Sequence, residues 1–173
     1  MVKLADSQSA FLSAADRIPS DKWSWTPAAK QWSAAEIVAH VVMVERGVVR
    51  SAHSIIEKPP KDAWFWEQAH LPLWLVETRL IRVKTPLALD PAMIAKKEEM
   101  LGELRATRAW TLEFLAQTQN RDLSVYGWPH VLLGRLNLYE WFEMIAAHQV
   151  RHTKQLKEIV ARLPKVVENS QNQ

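Results

Sequence analysis

The sequence contains no cysteine, only four glycines in 173 residues and no long apolar run. The lack of cysteine excludes thiol nucleophiles, disulfides and cysteine-ligated metal sites, so any metal ligands of the chain must be histidines or carboxylates. The few glycines do not have the spacing of a P-loop or of a dinucleotide-binding loop. Neither a signal peptide nor the roughly 18 apolar residues of a membrane span is found, and we therefore expect a cytoplasmic protein with no membrane partner.

The sequence also lacks a stretch of massed positive charge. Lys and Arg number 22 against 19 Asp and Glu, a formal net charge of +3, and the two signs are interleaved. This pattern predicts no nucleic-acid partner. With 48% hydrophobic and 24% charged residues, the composition is typical of a globular protein. The length predicts a single domain over residues 1–165, followed by a polar tail over residues 166–173.

Apolar residues recur at spacings of three and four, which predicts an all-α protein with four main helices. Two of these helices have sharp starts. Ser33 with Glu36 and Asn137 with Glu140 form capping boxes, in which each side chain accepts a backbone N–H of the other residue. The sequence therefore predicts a second helix that ends near residue 57 and a fourth helix that ends near residue 163.

The other two main helices are predicted over about residues 4–17 and 90–117, the latter with Asp90-Pro91 as its N-cap and first-turn proline. Residues 58–89 show no sustained period, which indicates a long connection with one short helix. Residues 125–136 are predicted to be irregular, and no strand pattern is evident. Four long helices with one long crossover predict a four-helix bundle, a fold whose interior commonly holds metal and cofactor sites.

The apolar stripe of the predicted fourth helix includes two histidines. It consists of Trp141, Ile145, His148, His152, Leu156 and Ile159. Imidazoles four residues apart on a helix lie about 6 Å apart along its axis, so that their nitrogens can converge on one cation. Burying two such rings is costly unless they share a ligand. The alternative is that both rings make ordinary hydrogen bonds in the core.

A third ligand is expected on the inward face of another helix. On the second helix, His40 lies next to Val41 of the apolar stripe and is flanked by Ile37 and Val44. His40 is therefore the candidate. The alternative is a polar residue at the edge of the stripe that is hydrogen-bonded to a neighbouring loop.

Two segments of the chain resemble the signature segments of the DinB/YfiT-like family of metal-dependent enzymes: WSAAEIVAHVVMVE and HVLLGRLNLYEWFEMIAAHQVRHTKQLKEI. The resemblance extends over nearly the whole chain in order and spacing. It implies a four-helix bundle of up-down-down-up topology. It also implies a divalent metal held by three histidines, one on the second helix and two on the last as HxxxH, which match His40, His148 and His152.

Three neutral imidazoles leave a fourth coordination position for water or substrate. A bound zinc ion would lower the pKa of its water to about 7 and allow hydrolysis. The family also implies a second reaction, transfer to a low-molecular-weight thiol bound as thiolate. We therefore expect a metal-dependent hydrolase or S-transferase that acts on a small molecule. Zn or Ni is expected first, with Fe, Mn and Cu as alternatives. The competing interpretation is a non-catalytic bundle that binds or dimerises, with a structural metal or none.

Supporting residues are harder to assign. Glu36 lies one turn before His40 and could orient its ring, but the capping box competes for the carboxylate and is the favoured role. His130 could contact substrate or act as an acid or base, although a surface-loop histidine is the favoured interpretation. Seven tryptophans in predicted loops could wall a ligand pocket, yet packing in the core or at a homodimer interface is favoured for most of them: Trp23, Trp25, Trp32, Trp64, Trp66, Trp74 and Trp128.

Overall fold

The computed structural model describes residues 2–60, 71–77 and 94–164. Within these ranges the secondary structure consists of five α-helices, a two-stranded hairpin and two short 3-10 helices. In chain order they are α1 (Val2–Asp16), a 3-10 helix (Ser20–Lys22), α2 (Ala34–Ile56), α3 (Trp74–Glu77), α4 (Lys97–Gln117), a 3-10 helix (Leu123–Val125), β1 (Gly127–His130), β2 (Gly134–Asn137) and α5 (Leu138–Arg162). None of the described helices is both long and apolar enough to cross a membrane.

Side-chain contacts define the directions of the four long helices. Helices α1 and α5 are parallel because contacts advance together along both: Lys3 with Glu143, and Ser7 with Gln149. Helices α2 and α4 are parallel for the same reason: Arg46 with Glu103, and His53 with Phe114. Contacts between α1 and α4 run in opposite directions: Leu4 with Arg108, and Gln8 with Leu104. The predicted four-helix bundle with up-down-down-up topology is confirmed.

The two predicted capping boxes are both present and begin the two helices that carry the histidines. The carboxylate of Glu36 accepts the backbone N–H of Ser33 at 2.8 Å, and that of Glu140 accepts the backbone N–H of Asn137 at 2.8 Å. In return, Ser33 and Asn137 accept the N–H three residues ahead. Both helices therefore start at the residue that the sequence predicts.

The start of α4 differs from the prediction. The helix begins at Lys97, and residues 94–96 are not helical, whereas Asp90 and Pro91 lie outside the described residues. Ile94 packs against the core, and the ammonium of Lys97 donates to the carbonyl of Ile18, just after the end of α1, at 2.8 Å. Residues 94–96 are therefore held in a non-helical conformation by packing against the core and the end of α1. Of the predicted connection over residues 58–89, the structure describes residues 58–60 and the one-turn helix α3 with its flanks.

The segment predicted to be irregular forms the antiparallel hairpin β1–β2, which pairs Gly127 with Asn137 and His130 with Gly134. Two glycines make the hairpin possible. A Cβ at Gly127 would lie 2.3 Å from the carbonyl oxygen of Leu136, so that only glycine permits this close approach. Gly134 has a φ of 93°, which closes the turn in a conformation that side chains disfavour. The prediction of no strand was wrong because pairing, rather than local propensity, forms these strands.

The core of the bundle consists of two apolar clusters with a polar layer between them along the helices. One cluster includes Phe11, Val38, Leu104 and Leu156, and the other includes Val49, Phe114, Phe142 and Ile145. Ser33 and Thr118 are buried at helix ends, and the other buried polar side chains of the described residues lie between these positions on the four long helices: Ser7, His40, Glu45, Thr107, Arg108, Thr111, Gln149, His152 and Thr153. This polar layer contains the candidate site.

Candidate metal centre

The structure brings the three predicted histidines together. His40 is on α2, and His148 and His152 are one turn apart on α5. The Nε2 atom of His148 lies 3.1 Å from Nε2 of His40 and 3.0 Å from Nε2 of His152. One ligand atom from each ring lies within 4.8 Å of the other two. The three rings therefore direct the same kind of nitrogen at one point.

This geometry fits a divalent metal better than a set of hydrogen bonds. A Zn–N distance of 2.0–2.1 Å with tetrahedral angles separates two ligand nitrogens by about 3.3 Å, close to the distances observed. A ring nitrogen makes one strong hydrogen bond, either as a donor or as an acceptor. Nε2 of His148 lies within hydrogen-bond distance of two other nitrogens and cannot satisfy both. A cation at the centre would accept all three lone pairs.

Burial favours the neutral form of His40 and His148. His40 and His152 are each 5% exposed, and His148 is half-buried. Burial lowers the pKa of His40 from 6.5 to about 4. The pKa of His148 is held well below its usual value, first by burial and then by the repulsion that a proton on this ring would meet from positive charge on His152, His40, Arg151 and His130. The rings of His40 and His148 are therefore neutral at neutral pH, and each keeps one nitrogen lone pair available.

The Nδ1 atoms of His40 and His152 differ in their hydrogen-bond partners. Nδ1 of His152 is hydrogen-bonded to the side-chain oxygen of Gln155. Nδ1 of His40 is buried and has no hydrogen-bond partner within the described part of the chain. Glu36 does not supply one, because its Oε2 atom accepts both the N–H and the hydroxyl of Ser33 at 2.8 Å. The capping role of Glu36 is thus present in the structure, and the alternative role of orienting His40 is not.

One tryptophan of the loop before α2 packs against the histidine cluster. The ring of Trp32 meets the His40 ring edge-on at 5.0 Å between centroids, and it lies parallel to the His152 ring at 6.3 Å. Trp32 was not distinguished from the other loop tryptophans in the predictions from sequence. Its place immediately before the N-cap is the hydrophobic-staple position, which directs a side chain back onto the helix, and this signal could have identified it.

The other tryptophans that could line a ligand pocket make no ring contact with the histidine cluster in the described part of the structure. Trp23 is buried in the core, and Trp128 stacks on Trp141 at 4.6 Å, as favoured for most of the tryptophans. Trp74 on α3 is 61% exposed. Trp64 and Trp66 lie outside the described residues.

His130 is not part of the cluster. Its Nδ1 accepts the backbone N–H groups of Leu132 and Leu133 at 3.1 and 3.2 Å, and its ring packs on Trp141 at 5.2 Å. It therefore caps the hairpin turn, and only Nε2 remains for a substrate. His53 also lies outside the cluster: it is half-buried near the end of α2 and stacked on Trp110 at 5.5 Å.

A second polar cluster next to the histidines was not predicted. Arg108 and Glu45 are each 1% exposed and form a bidentate ion pair, with Nε–Oε1 at 2.6 Å and Nη2–Oε2 at 3.1 Å. Arg108 also donates to Gln149 at 2.9 Å, and Gln149 follows His148 on α5. Two further donors extend the cluster, Thr111 to Glu45 at 2.8 Å and Ser7 to Gln149 at 2.9 Å, whereas Nε2 of Gln149 is buried without a partner among the described residues. Charged residues on amphipathic helices are usually solvent-exposed, so no local signal marked this pair.

Comparisons with known proteins agree with this architecture. The family model of the DinB superfamily matches residues 3–156. The uncharacterized protein YuaE of Bacillus subtilis (strain 168) is 26% identical over 147 residues, which cover 84% of this chain and 88% of that protein. The crystal structure of TT2238, a four-helix bundle protein, shares the fold with a TM-score of 0.56 and 22% identity, over 90% of this chain and 94% of that one. The chain belongs to the DinB superfamily.

Proposed function

We propose that this protein is a metal-dependent enzyme in which His40, His148 and His152 hold one divalent cation. The fourth coordination position takes water for hydrolysis, or a low-molecular-weight thiol for S-transfer to a small-molecule substrate. The observation that carries this proposal is the convergence of three Nε2 atoms from two helices in a buried layer. Imidazole ligands suit Zn or Ni first, and Fe, Mn and Cu are the alternatives.

The ligand set supports a catalytic site over a closed structural one. Structural zinc sites are built from four protein ligands, whereas the three that the described residues supply leave a position for a reactant. Neutral imidazoles leave the full charge of the cation in place, which acidifies a bound water or thiol.

Two neighbouring residues define part of the surroundings of the cluster. The positive charge of Arg151 contributes to the lowered pKa of His148. Trp32 contributes an apolar wall beside His40 and His152, which limits the access of water from that side.

The first test is the metal content of protein purified without a histidine tag. We expect about one equivalent of divalent metal per chain, retained in His53→Gln, whose histidine lies outside the cluster, and lost in His148→Ala. The variant should keep most of its helical signal, because the ring is replaced at a half-buried position. Unchanged metal content in His148→Ala, or no binding after incubation with zinc and nickel, would overturn the proposal.

A second measurement separates catalysis from a structural role. Chelation should remove activity toward an activated ester or a thiol acceptor while it lowers the melting temperature only modestly, because the bundle has its own apolar core. A steep fall in melting temperature with no reaction in the loaded protein would instead support a non-catalytic module with a structural metal.

A further inference from the structure

The three histidines of the cluster are not supported equally. On α5, Gln155 lies three residues after His152 and on the same face, and its side-chain oxygen contacts Nδ1 of that ring. An amide oxygen only accepts hydrogen bonds, so this contact requires the ring proton to be on Nδ1. With the proton on Nδ1, Nε2 keeps a lone pair, and Nε2 is the atom that faces the other two histidines.

We propose that Gln155 is a positioning residue that fixes the tautomer and ring orientation of His152 for metal binding. This inference rests on the proposed function, because it assigns Gln155 a role toward the metal. Metal-ligating histidines usually donate their second N–H to an acceptor, and loss of that acceptor typically weakens metal binding about 10- to 100-fold. His40 has no such acceptor among the described residues, since its Nδ1 is buried without a partner there. Gln155 therefore carries the orienting hydrogen bond that the structure shows for this cluster.

The chemistry of Gln155 also bears on the charge of the site. A carboxylate at this position would orient the ring equally well but would add a negative charge next to the cation. An amide orients the ring and leaves that charge intact. This choice suits a site whose fourth ligand is an anion, because the attraction of the cation for hydroxide or thiolate is undiminished.

The test combines two readouts on Gln155→Ala, Gln155→Glu and the control Lys157→Ala, which changes an exposed residue of the same helix. Zinc affinity is measured by competition with a chelator. The tautomer of His152 in the metal-free protein is read from long-range ¹H–¹⁵N correlations of its ring. We expect Gln155→Ala to bind zinc about 10- to 100-fold more weakly and to lose the single Nδ1–H tautomer. Gln155→Glu should retain both properties, and Lys157→Ala should resemble the unmodified protein.

Affinity within twofold of the unmodified protein and an unchanged tautomer in Gln155→Ala would overturn the inference while leaving the metal site in place. If the unmodified protein binds no zinc or nickel, the proposed function fails, yet the tautomer measurement still decides whether Gln155 holds the His152 ring. Weaker binding in Gln155→Ala that Gln155→Glu does not restore would also contradict the inference, because a carboxylate accepts the same hydrogen bond.

Discussion

The polar layer of the bundle has two halves that are built on opposite principles. In one half, Arg108 and Glu45 balance each other's charge, and Gln149, Ser7 and Thr111 extend the network by hydrogen bonds. In the other half, Nε2 of His148 lies 3.1 Å from Nε2 of His40 and 3.0 Å from Nε2 of His152, so that three imidazole nitrogens converge. The two halves adjoin at consecutive residues, His148 and Gln149.

The difference separates structure from function. The buried ion pair makes its hydrogen bonds within the protein, and among the described residues only the amide nitrogen of Gln149 in this half is buried without a partner, so we expect the pair to contribute to the stability of the fold. Three imidazoles that converge in a buried layer need a ligand, such as a cation, to accept their lone pairs. We therefore expect them to affect ligand binding. Substitutions in the two halves should therefore change different measurements, and three predictions test that separation.

The largest effect is expected from Arg108→Met. This change leaves the carboxylate of Glu45 buried at 1% exposure without its cation. Breaking a buried pair from one side typically costs about 3–5 kcal/mol. We expect a loss of that size in the free energy of unfolding of metal-free protein, measured by chemical denaturation. The zinc affinity of the fraction that remains folded should stay within about threefold, because the histidines are untouched.

A double variant, Glu45→Leu with Arg108→Met, provides the control. Replacing both members by apolar side chains removes the unpaired charge, so we expect it to recover more than half of the stability lost in Arg108→Met. If the double variant is as unstable as the single one, the role of Arg108 lies in its other bonds, to Leu4 and Gln149, rather than in the ion pair.

The histidine half was predictable because its signals are local. The spacing of His148 and His152 places them on one helix face, and the apolar residues around His40 predict that it points inward. Both capping boxes can be recognised within four residues. The four-helix bundle follows from the same periodicity. In these cases the information that determines the structure lies within one or two helical turns.

The parts that were missed depend on partners far along the chain. Arg108 is buried because Glu45, 63 residues away, neutralises it. The hairpin depends on the approach of Gly127 to Leu136, and the start of α4 depends on the bond from Lys97 to Ile18. Such contacts leave no periodic signal, since each involves one pair of residues brought together by the fold.

The second prediction concerns pH. Burial lowers the pKa of His40 to about 4, whereas in the unfolded chain it is near 6.5. As the pH falls below 6.5, the unfolded chain takes up a proton that the folded state resists, so stability decreases until about pH 4 and is unaffected above 6.5. The difference corresponds to about 3 kcal/mol. Denaturation of metal-free protein at several pH values should show this loss, and His40→Asn should reduce it. Parallel curves for the two proteins would contradict the prediction.

The smallest effect is expected from substitutions of Glu36, and it tests whether this residue acts in the cap of α2 or together with the three histidines. Glu36→Ala removes the acceptor of the Ser33 N–H and should cost about 0.5–1 kcal/mol of unfolding free energy, with zinc affinity within twofold. Glu36→Gln should cost less, because glutamine also completes a capping box. Glu140→Ala is the matched control, since it removes the same bond at the start of α5. A tenfold loss of zinc affinity in Glu36→Ala without a change in stability would instead assign Glu36 to the metal site, and the boundary between the two halves would have to be redrawn.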